Sequence, residues 1–516
     1  MTRAYLGIDV GTYQSKGVVV SETGEVLAAT NRSHRMIVPQ PGWAEHDPEK
    51  DWWGEFASIA RQLVAECGLP AEAFRAVGAS GIGPCMLPVD ADNRPLMNAV
   101  LYGVDTRAHE EIAELTDRIG AETLLERTGN SLTSQSVGPK ILWLKRNRPE
   151  IYENAAAFVN STTFLVERLT GRRVLDHYSA ASFSPLYDPA RHDWADDLCA
   201  GIVERERLPE LLWSSEIAGT VTAGAAAETG LAPGTPVIAG TIDAAAEAVS
   251  VGVFQPGQMM LMYGSTIFII LVTAAPVYDR RLWSAPWLFP GQHASMSGLA
   301  TSGTLTQWFR EQFARDLPEG TAMGQLAAEA AASPAGAKGL IVLPYFSGER
   351  TPLHDPHAKG MIFGLDLTHS RGDVFRGVLE GIAYGVRHVL ETYGEVGNRP
   401  EEISAVGGGT KNPVWSQAVS DASGEAQILR RQTIGASFGN AFLAAVGVGD
   451  AAPADIDRWN PVEGRIEPRA GHADTYDRGF RIYRALYEQT RHLMQPQGGM
   501  SDQPASGDAT SRESDT

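Results

Sequence analysis

The chain has 516 residues, enough for two large domains or three smaller ones, and 43% of them are hydrophobic, which is enough for sizeable cores. Its formal net charge of −19 disfavours a nucleic-acid partner, because a phosphate backbone repels such a surface. Three widely separated cysteines form no metal-ligand spacing, and no apolar run reaches the ~20 residues of a membrane helix. We therefore expect a reducing, cytoplasmic environment and no membrane partner.

Hydrophobic periodicity divides the first half of the chain into short strands and helices. In chain order we expect strands at 4–10, 15–20 and 25–30, a helix at 48–67, a buried strand at 74–83, helices at 106–118 and 139–147, and a strand, loop and helix across 233–252. A strand–turn–strand pattern restarts at 255–273, which predicts an internal duplication. Beyond it we expect a helix at 373–393, a strand, glycine loop and helix across 403–424, and a helix at 435–449.

The first turn lies in IDVGTYQSKG, residues 8–17, where an acid, a glycine, two hydroxyls and a lysine fall together. An ordinary β-hairpin and a phosphate-binding turn explain this pattern equally well. In a phosphate-binding turn Asp9 would hold Mg²⁺, directly or through water, because Mg²⁺ prefers oxygen ligands. Thr12, Ser15 and backbone amides would bind phosphate oxygens, and Lys16 would supply a point charge.

Asp243 follows an apolar strand and precedes a run of alanines in AGTIDAAAEA. Its small neighbours would let a substrate approach the carboxylate closely. Asp is also a favoured residue at a helix N-cap, and the two roles can coexist. The sequence of this stretch leaves both readings open.

Two glycine-containing loops in the second half allow different interpretations. AVGGGTKN, residues 405–412, permits close backbone approach to a ligand, or makes a tight strand-to-helix turn; it contains no GxGxxG fingerprint. GASFG, residues 435–439, matches the letters of a hydrolase nucleophile elbow, but no strand precedes Ser437 as that motif requires. Hydrolase chemistry is therefore disfavoured.

Taken together, these stretches resemble the FGGY family of carbohydrate kinases, within the superfamily of actin-like and hexokinase-like ATPases. The most specific stretch, LPYFSGERTPLHDPHAKGMIFGLDLTHSRGDVFRGVLEG, is similar to a family signature, and SGERTP leans toward the xylulokinase-like branch. The resemblance implies an α/β fold of two ribonuclease-H-like domains, related by duplication, with the active site in the cleft between them. We expect a sugar and phosphate domain at 1–252, a nucleotide domain at 253–493 and a disordered tail at 494–516.

The resemblance also implies ATP and Mg²⁺ as cofactors and a role for particular residues. Asp243 is similar to the catalytic base, and Asp9 and Asp243 flank the Mg²⁺ path. The phosphate-facing residues are Thr12, Ser15 and Lys16 from one half and Gly264, Ser265 and Thr266 from the other. The adenosine-side loop carries Gly408, Gly409, Lys411 and Asn412.

The sugar pocket is where the chain departs from relatives within the family. GIGPCM lacks the Arg-Glu pair that glycerol kinases carry, which disfavours glycerol as substrate. Gly83 and Pro84 also stand where xylulokinases often carry Met-His. Asp105 is retained, and Gln135 replaces an aromatic residue. With Asp243, these residues form the predicted sugar site. We expect a ketopentose substrate, xylulose-like or ribulose-like, with another ketose or a tetritol or pentitol as alternatives, and a homodimer. A sugar-independent ATPase or regulatory protein is a further alternative.

Overall fold

Short strands and helices alternate along the first half of the chain in a computed structural model that describes residues 3–494. The strands are Ala4–Val10 (β1), Gln14–Ser21 (β2), Val26–Ser33 (β3), Glu45–His46 (β4), Phe74–Gly81 (β5), Leu87–Val89 (β6), Ala99–Val100 (β7), Ala157–Val159 (β8), Val174–Asp176 (β9), Tyr187–Asp188 (β10), Asp193–Trp194 (β11), Glu210–Leu212 (β12), Ile217–Thr220 (β13), Pro236–Ile238 (β14) and Thr241–Ile242 (β15). The α-helices are Glu55–Glu66 (α1), His109–Ile119 (α2), Ala121–Thr128 (α3), Val137–Asn147 (α4), Pro149–Asn154 (α5), Ser161–Thr170 (α6), His177–Ala180 (α7), Asp196–Cys199 (α8), Ala223–Thr229 (α9) and Asp243–Ser250 (α10).

The second half repeats the pattern with longer helices. Its strands are Gln258–Tyr263 (β16), Ile267–Thr273 (β17), Trp283–Pro286 (β18), His293–Leu299 (β19), Ile341–Leu343 (β20), Met361–Phe363 (β21), Glu402–Val406 (β22), Gln427–Arg430 (β23) and Val462–Ile466 (β24). Its α-helices are Gly303–Phe313 (α11), Ala322–Ala332 (α12), Arg371–Glu395 (α13), Pro413–Ser423 (α14), Ala436–Gly447 (α15), Ile456–Trp459 (α16) and Ala473–Met494 (α17). Apart from Met494, the tail predicted at 494–516 lies outside the described residues.

Two mixed seven-stranded sheets carry the same topology. The first has the order β13-β14-β5-β1-β2-β3, with β15 beside β5, and the second has the order β24-β23-β22-β16-β17-β19-β18. In each sheet the opening strand pairs antiparallel with the next strand and parallel with a later one: β1 with β2 and β5, and β16 with β17 and β22. This correspondence is what an internal duplication produces, and it confirms the predicted two-part α/β fold.

The opening strand of the first sheet is buried on both faces. Leu6 and Ile8 pack in a core with α1, whereas Tyr5, with the opposite side-chain direction, packs in a core that includes α10 and α15. Helix α15 can lie directly on this sheet because Gly7 and Gly78 have no side chain there. A Cβ at either position would overlap the backbone of α15.

Helix α15 therefore covers the first sheet although in the chain it lies between β23 and β24, two strands of the second sheet. The predicted division of the chain places this helix with residues 253–493. The contact between Tyr5 and Trp459, with ring centroids 5.6 Å apart, extends the same connection between the two halves. A division of the chain at residue 252 would separate the first sheet from one of its covering helices, and that boundary stays a prediction.

Candidate active site

Asp9 lies near the end of β1, where the first hairpin turns. It is opposite Lys16 in the β1–β2 register, so the two side chains share one face of the sheet. The Asp9 carboxylate is buried and accepts a hydrogen bond from the Ser80 hydroxyl at 2.7 Å. Burial raises its pKa to about 6, although the Ser80 hydrogen bond and the Lys16 charge act in the opposite direction. Asp9 is thus a carboxylate whose charge the protein only partly compensates.

Asp243 is the first residue of α10 and lies beside Asp9 in the same cavity. Burial, followed by the negative charge of Asp9, raises its pKa well above the ordinary value. The N-cap position belongs to Ile242, so Asp243 does not cap the helix in the usual way; its carboxylate accepts a hydrogen bond from the Ala244 amide at 2.8 Å. The N-cap role that the sequence left open therefore does not apply to Asp243, and its catalytic role stays a prediction.

Glu247 was missed by the sequence analysis. It lies one helical turn after Asp243 and lines the same cavity, as the i, i+4 spacing could have indicated. Its carboxylate faces the N-terminus of α15, beside the Ala436 amide, and a Cβ on Gly435 would overlap it. Burial, and then the charge of Asp9, raises the pKa of Glu247 to about 7. Three acidic side chains thus converge on one region.

The first cavity has a volume of about 390 Å³ and is lined from both halves of the chain. Of the predicted sugar-site residues, Gly83, Pro84, Gln135 and Asp243 line it. Tyr102, also in the lining, was not among them. Further lining residues that the sequence analysis missed are Asn130, Thr133, Tyr178, Phe268, Trp283, Met296 and Arg350.

Asp105 does not line this cavity, and the prediction that it contacts sugar is corrected. Its carboxylate is fully buried, pairs with the Arg107 guanidinium at 2.8 Å and accepts the Ala44 amide at 2.7 Å. Its oxygens are therefore occupied by protein donors. The Asp105 amide donates to the Tyr102 carbonyl, so this acid stabilises the loop that carries Tyr102.

Ser15 requires a similar correction. Successive residues of a strand point to opposite faces, so Ser15 and Lys16 cannot both face the same ligand. The Ser15 hydroxyl is completely buried, lies next to Glu55 and lines neither of the two cavities. Thr12 does line the first cavity, and Lys16 is exposed near Asp9. Only these two side chains of the first turn remain candidates for phosphate contact.

The second turn, between β16 and β17, lies where two cavities adjoin. Gly264 and Ser265 line both cavities, and Thr266 lines the first. The turn is held by the start of α11: the Gly303 amide donates to the Gly264 carbonyl at 3.1 Å, and the Thr304 hydroxyl donates to the Ser265 carbonyl at 3.0 Å. The turn is therefore well fixed at the junction of the cavities.

The second cavity has a volume of about 760 Å³ and lies within the second half. All four residues of the predicted adenosine-side loop line it: Gly408, Gly409, Lys411 and Asn412. Asn412 also caps α14, since its side chain accepts the amides of the first turn. The other wall was not predicted; it consists of Gly303, Thr304, Thr306, Gln307, Trp308, Glu311, Met323, Gly324 and Ala327.

A hydrolase site at Ser437 is not supported by the structure. Ser437 is completely buried at the start of α15, and the carbonyl oxygen of the same residue packs against Gly7 of β1. A nucleophile elbow presents its serine to substrate at the end of a strand. The glycines around Ser437 instead allow α15 to pack closely, since a Cβ on Gly439 would overlap the Ala246 carbonyl.

Models of the FGGY family of carbohydrate kinases match most of the chain: the N-terminal domain matches residues 4–250 and the C-terminal domain residues 259–448. Xylulose kinase from Escherichia coli (strain K12) is 30% identical over 495 residues, which are 95% of this chain and 100% of that protein. The chain belongs to the FGGY family of carbohydrate kinases. The predicted resemblance is confirmed, and the protein is a sugar kinase, an enzyme of a family that uses ATP.

Two further relatives support the same assignment. Xylulose kinase from Bacillus subtilis (strain 168) is 28% identical over 494 residues, 95% of this chain and 97% of that protein. The crystal structure of xylulose kinase from Rhodospirillum rubrum superposes with a TM-score of 0.88 at 31% identity and covers 95% of this chain and 100% of that one.

Within residues 3–494, no helix has both the length and the apolar character needed to cross a bilayer.

Proposed function

We propose that this sugar kinase transfers the γ-phosphoryl group of ATP to a hydroxyl group of a ketopentose, with Asp243 as the general base. One observation carries the proposal: Asp9 and Asp243 line the first cavity, and this cavity adjoins the second at Gly264 and Ser265. A sugar in the first cavity and a nucleotide in the second would therefore bring hydroxyl and phosphate together beside the acids.

Phosphoryl transfer requires the protein to accept one proton and to position the reacting groups. In phosphoryl transfer the sugar oxygen forms a bond to phosphorus while the bond from phosphorus to the bridging oxygen of ATP breaks, and ADP leaves. Asp243 would accept the proton of the attacking hydroxyl. General-base assistance contributes typically 10²–10⁴-fold, and the remainder comes from positioning and charge stabilisation. The cleft between the halves would also exclude water and limit wasteful ATP hydrolysis.

The carboxylates of Asp9 and Asp243 are suited to bind a divalent cation rather than to pair with a Lys or Arg side chain. No group of three or more His, Cys, Asp or Glu side chains among residues 3–494 is arranged as a complete metal site. Mg²⁺ keeps several waters and needs only one or two carboxylates, which Asp9 and Asp243 would provide. Burial raises the pKa of both carboxyls, and the Ser80 hydrogen bond and the Lys16 charge offset this only in part at Asp9. Bound Mg²⁺ would neutralise these carboxylates and the charge of the transferring phosphate.

The choice of a ketopentose rests on the relatives and on the pocket. The proteins named above, at 28–31% identity, are named xylulose kinases. The first cavity is lined by both apolar and polar side chains, among them Gln135, whose side-chain oxygen accepts the Gly103 amide at 3.1 Å. Its amide nitrogen therefore remains for a sugar hydroxyl. The domain limits and the homodimer stay predictions.

A coupled assay of ADP release tests the proposal over ketopentoses, ketohexoses, tetritols and pentitols. We expect the largest kcat/KM with a ketopentose, in a reaction that needs Mg²⁺. A higher value with a tetritol or pentitol would contradict the substrate class. ATP hydrolysis that no sugar stimulates, in a folded protein that binds ATP, would contradict the assignment of the cleft.

A further inference from the structure

Two histidines lie behind the first hairpin turn, on the side away from the cavities. His34 follows β3 and His46 ends β4, and their rings meet edge to face with centroids 4.9 Å apart. The His34 side chain is 3% exposed, and His46 is completely buried. Neither residue contributes to the mechanism described above.

Each histidine holds one carbonyl of the turn. The Nε2 atom of His34 lies 3.0 Å from the Gly11 carbonyl, and the Nε2 atom of His46 lies 3.1 Å from the Thr12 carbonyl. The backbone amide of His34 also donates to the Tyr13 carbonyl at 3.0 Å. The two histidines thus bind three successive carbonyls of the turn.

The tautomer of His46 follows from its partners. The indole N–H of Trp52 can only donate, and it points at the Nδ1 atom of His46 at 3.1 Å. Nδ1 must therefore be the acceptor, which leaves the proton on Nε2 for the Thr12 carbonyl. Burial, and then the nearby charge of His34, lowers the pKa of His46 to about 4, so the ring stays neutral.

His34 differs, because both of its ring nitrogens face acceptors. Its Nδ1 atom lies 2.9 Å from the Glu55 carboxylate, while Nε2 faces the Gly11 carbonyl. Only the imidazolium form can donate at both positions. Burial opposes this charge, but the hydrogen bond and charge of Glu55, with a smaller contribution from Asp51, raise the pKa of His34 above its ordinary value. The turn is therefore held by one charged and one neutral ring.

The direction of the carbonyls determines the direction of the amides. A trans peptide is planar, so the carbonyl of one residue and the N–H of the next point in opposite directions. Holding the Gly11 and Thr12 carbonyls against the histidines aims the N–H groups of Thr12 and Tyr13 the other way. These two amides make no backbone hydrogen bond within residues 3–494, and the Thr12 side chain lines the first cavity.

We propose that His34 and His46 are positioning residues that fix the first turn as a phosphate-binding nest. They hold the carbonyls back so that successive N–H groups face the phosphates of ATP, and concavities of such amides bind anions. The inference rests on the proposed function, because it assumes that this turn contacts phosphate.

The test compares the full-length protein with the variants H34A, H46A and H46Q. Calorimetry measures the binding of the non-hydrolysable ATP analogue AMPPNP with Mg²⁺, and of adenosine, which has no phosphate. We expect H34A and H46A to weaken AMPPNP binding about 10-fold while adenosine binding changes less than about 2-fold, since only phosphate contacts are lost. H46Q should recover most of the affinity, because one amide can donate to Thr12 and accept from Trp52.

A fourth variant, W52F, keeps the His46 ring but removes the N–H that selects its tautomer. We expect AMPPNP binding to weaken about 3-fold, again with adenosine unchanged, so a failure of H46A to fold would not prevent the test. Wild-type-like AMPPNP affinity in folded H34A and W52F would overturn the inference, as would equal losses for AMPPNP and adenosine. If the wild-type protein bound AMPPNP no more tightly than adenosine, the proposed function itself would fail.

Discussion

The two strand–turn–strand units have the same topology but different chemistry. In the first unit, β1 and β2 carry Asp9 and Lys16 on one face. The second unit, residues 258–273, contains no charged residue and offers only Gly264, Ser265 and Thr266 at its turn. Under the proposed function, both turns of the duplicated backbone would face phosphate. Only the first unit carries an acid, so we expect the first half to act on the reacting group and the second half to hold the nucleotide.

Removing the base breaks this division of roles most severely. We expect D243N to lower kcat by about 10²–10⁴-fold while AMPPNP affinity stays within about 3-fold of the wild type, because Asn cannot accept the proton. Steady-state kinetics and calorimetry measure the two quantities. The matched control is D474N, which changes an exposed acid in the first turn of α17. Near-normal turnover in D243N would disprove the assignment.

Disturbing the second turn should affect the nucleotide and spare the sugar. A Cβ on Gly303 would overlap the Gly264 carbonyl, which the Gly303 amide now binds. We expect G303A to raise the KM for ATP about 10-fold and to leave the KM for the sugar within about 2-fold. G320A is the control, since nothing lies within 4 Å of a Cβ there. Equal changes in both KM values would contradict the assignment of the nucleotide to the second half.

Helix α15 joins the two halves through a buried amide. The Asn440 side chain donates to the Ile8 carbonyl at 2.9 Å and to the Ser80 hydroxyl at 2.7 Å, and Ser80 in turn donates to Asp9. We expect N440A to lower the free energy of unfolding by about 2 kcal/mol and kcat by roughly 10-fold, because Asp9 loses its orientation. Urea denaturation and kinetics measure these changes.

The control for that variant is N154A, which removes an exposed hydrogen bond at the end of α5. It should change the free energy of unfolding by less than about 0.5 kcal/mol. Full activity in an N440A protein that is clearly destabilised would show that Asn440 supports the fold alone.

The smallest effect concerns Glu247, the acid that the first half places in the same cavity as Asp9 and Asp243. Its pKa is about 7 in the folded protein, against an ordinary value of 4.5. The folded state therefore binds its proton more tightly than the unfolded state, and the free energy of unfolding falls as pH rises from about 4.5 to about 7. Without ligands, the melting temperature of E247Q should be roughly 2–4 °C above that of the wild type at pH 8. At pH 4.5 the two melting temperatures should be the same.

The control for this measurement is E150Q, which alters an exposed glutamate on α5. Its melting temperature should follow that of the wild type at every pH. An E247Q protein that gains no stability at pH 8 would mean that Glu247 already has a partner for its charge.

Local sequence patterns predicted the strands and helices well, because the alternation of a strand and the spacing of a helix involve only residues close together in the chain. The strands β1, β2, β5 and β16 and the helix α13 lie close to their expected ranges. The helix expected at 48–67 instead begins as a π-helix at Pro48–Gly54, before α1. Propensity does not distinguish the two helix types, since they differ by one residue in hydrogen-bond spacing.

Residues that line the cavities were predicted where one short motif contains them. Asp9 and Thr12 in the first turn, and Gly408, Gly409, Lys411 and Asn412 in one glycine loop, line the two cavities, and their roles stay predictions. Ser15 was misassigned although strand alternation could have excluded it. The ion pair that occupies Asp105 and the placement of Arg350 in the first cavity depend on contacts between distant segments, and a single sequence does not reveal those.

The placement of α15 has a consequence for synthesis of the protein. The groove at Gly7 and Gly78 that receives this helix is complete when residue 250 has been made, but its occupant begins at Ala436. At about 5–20 residues per second, the ribosome needs roughly 10–40 s to make the intervening chain. During that interval α10 has been made, but the surface around Gly7 and Gly78 lacks the helix that covers it in the folded protein.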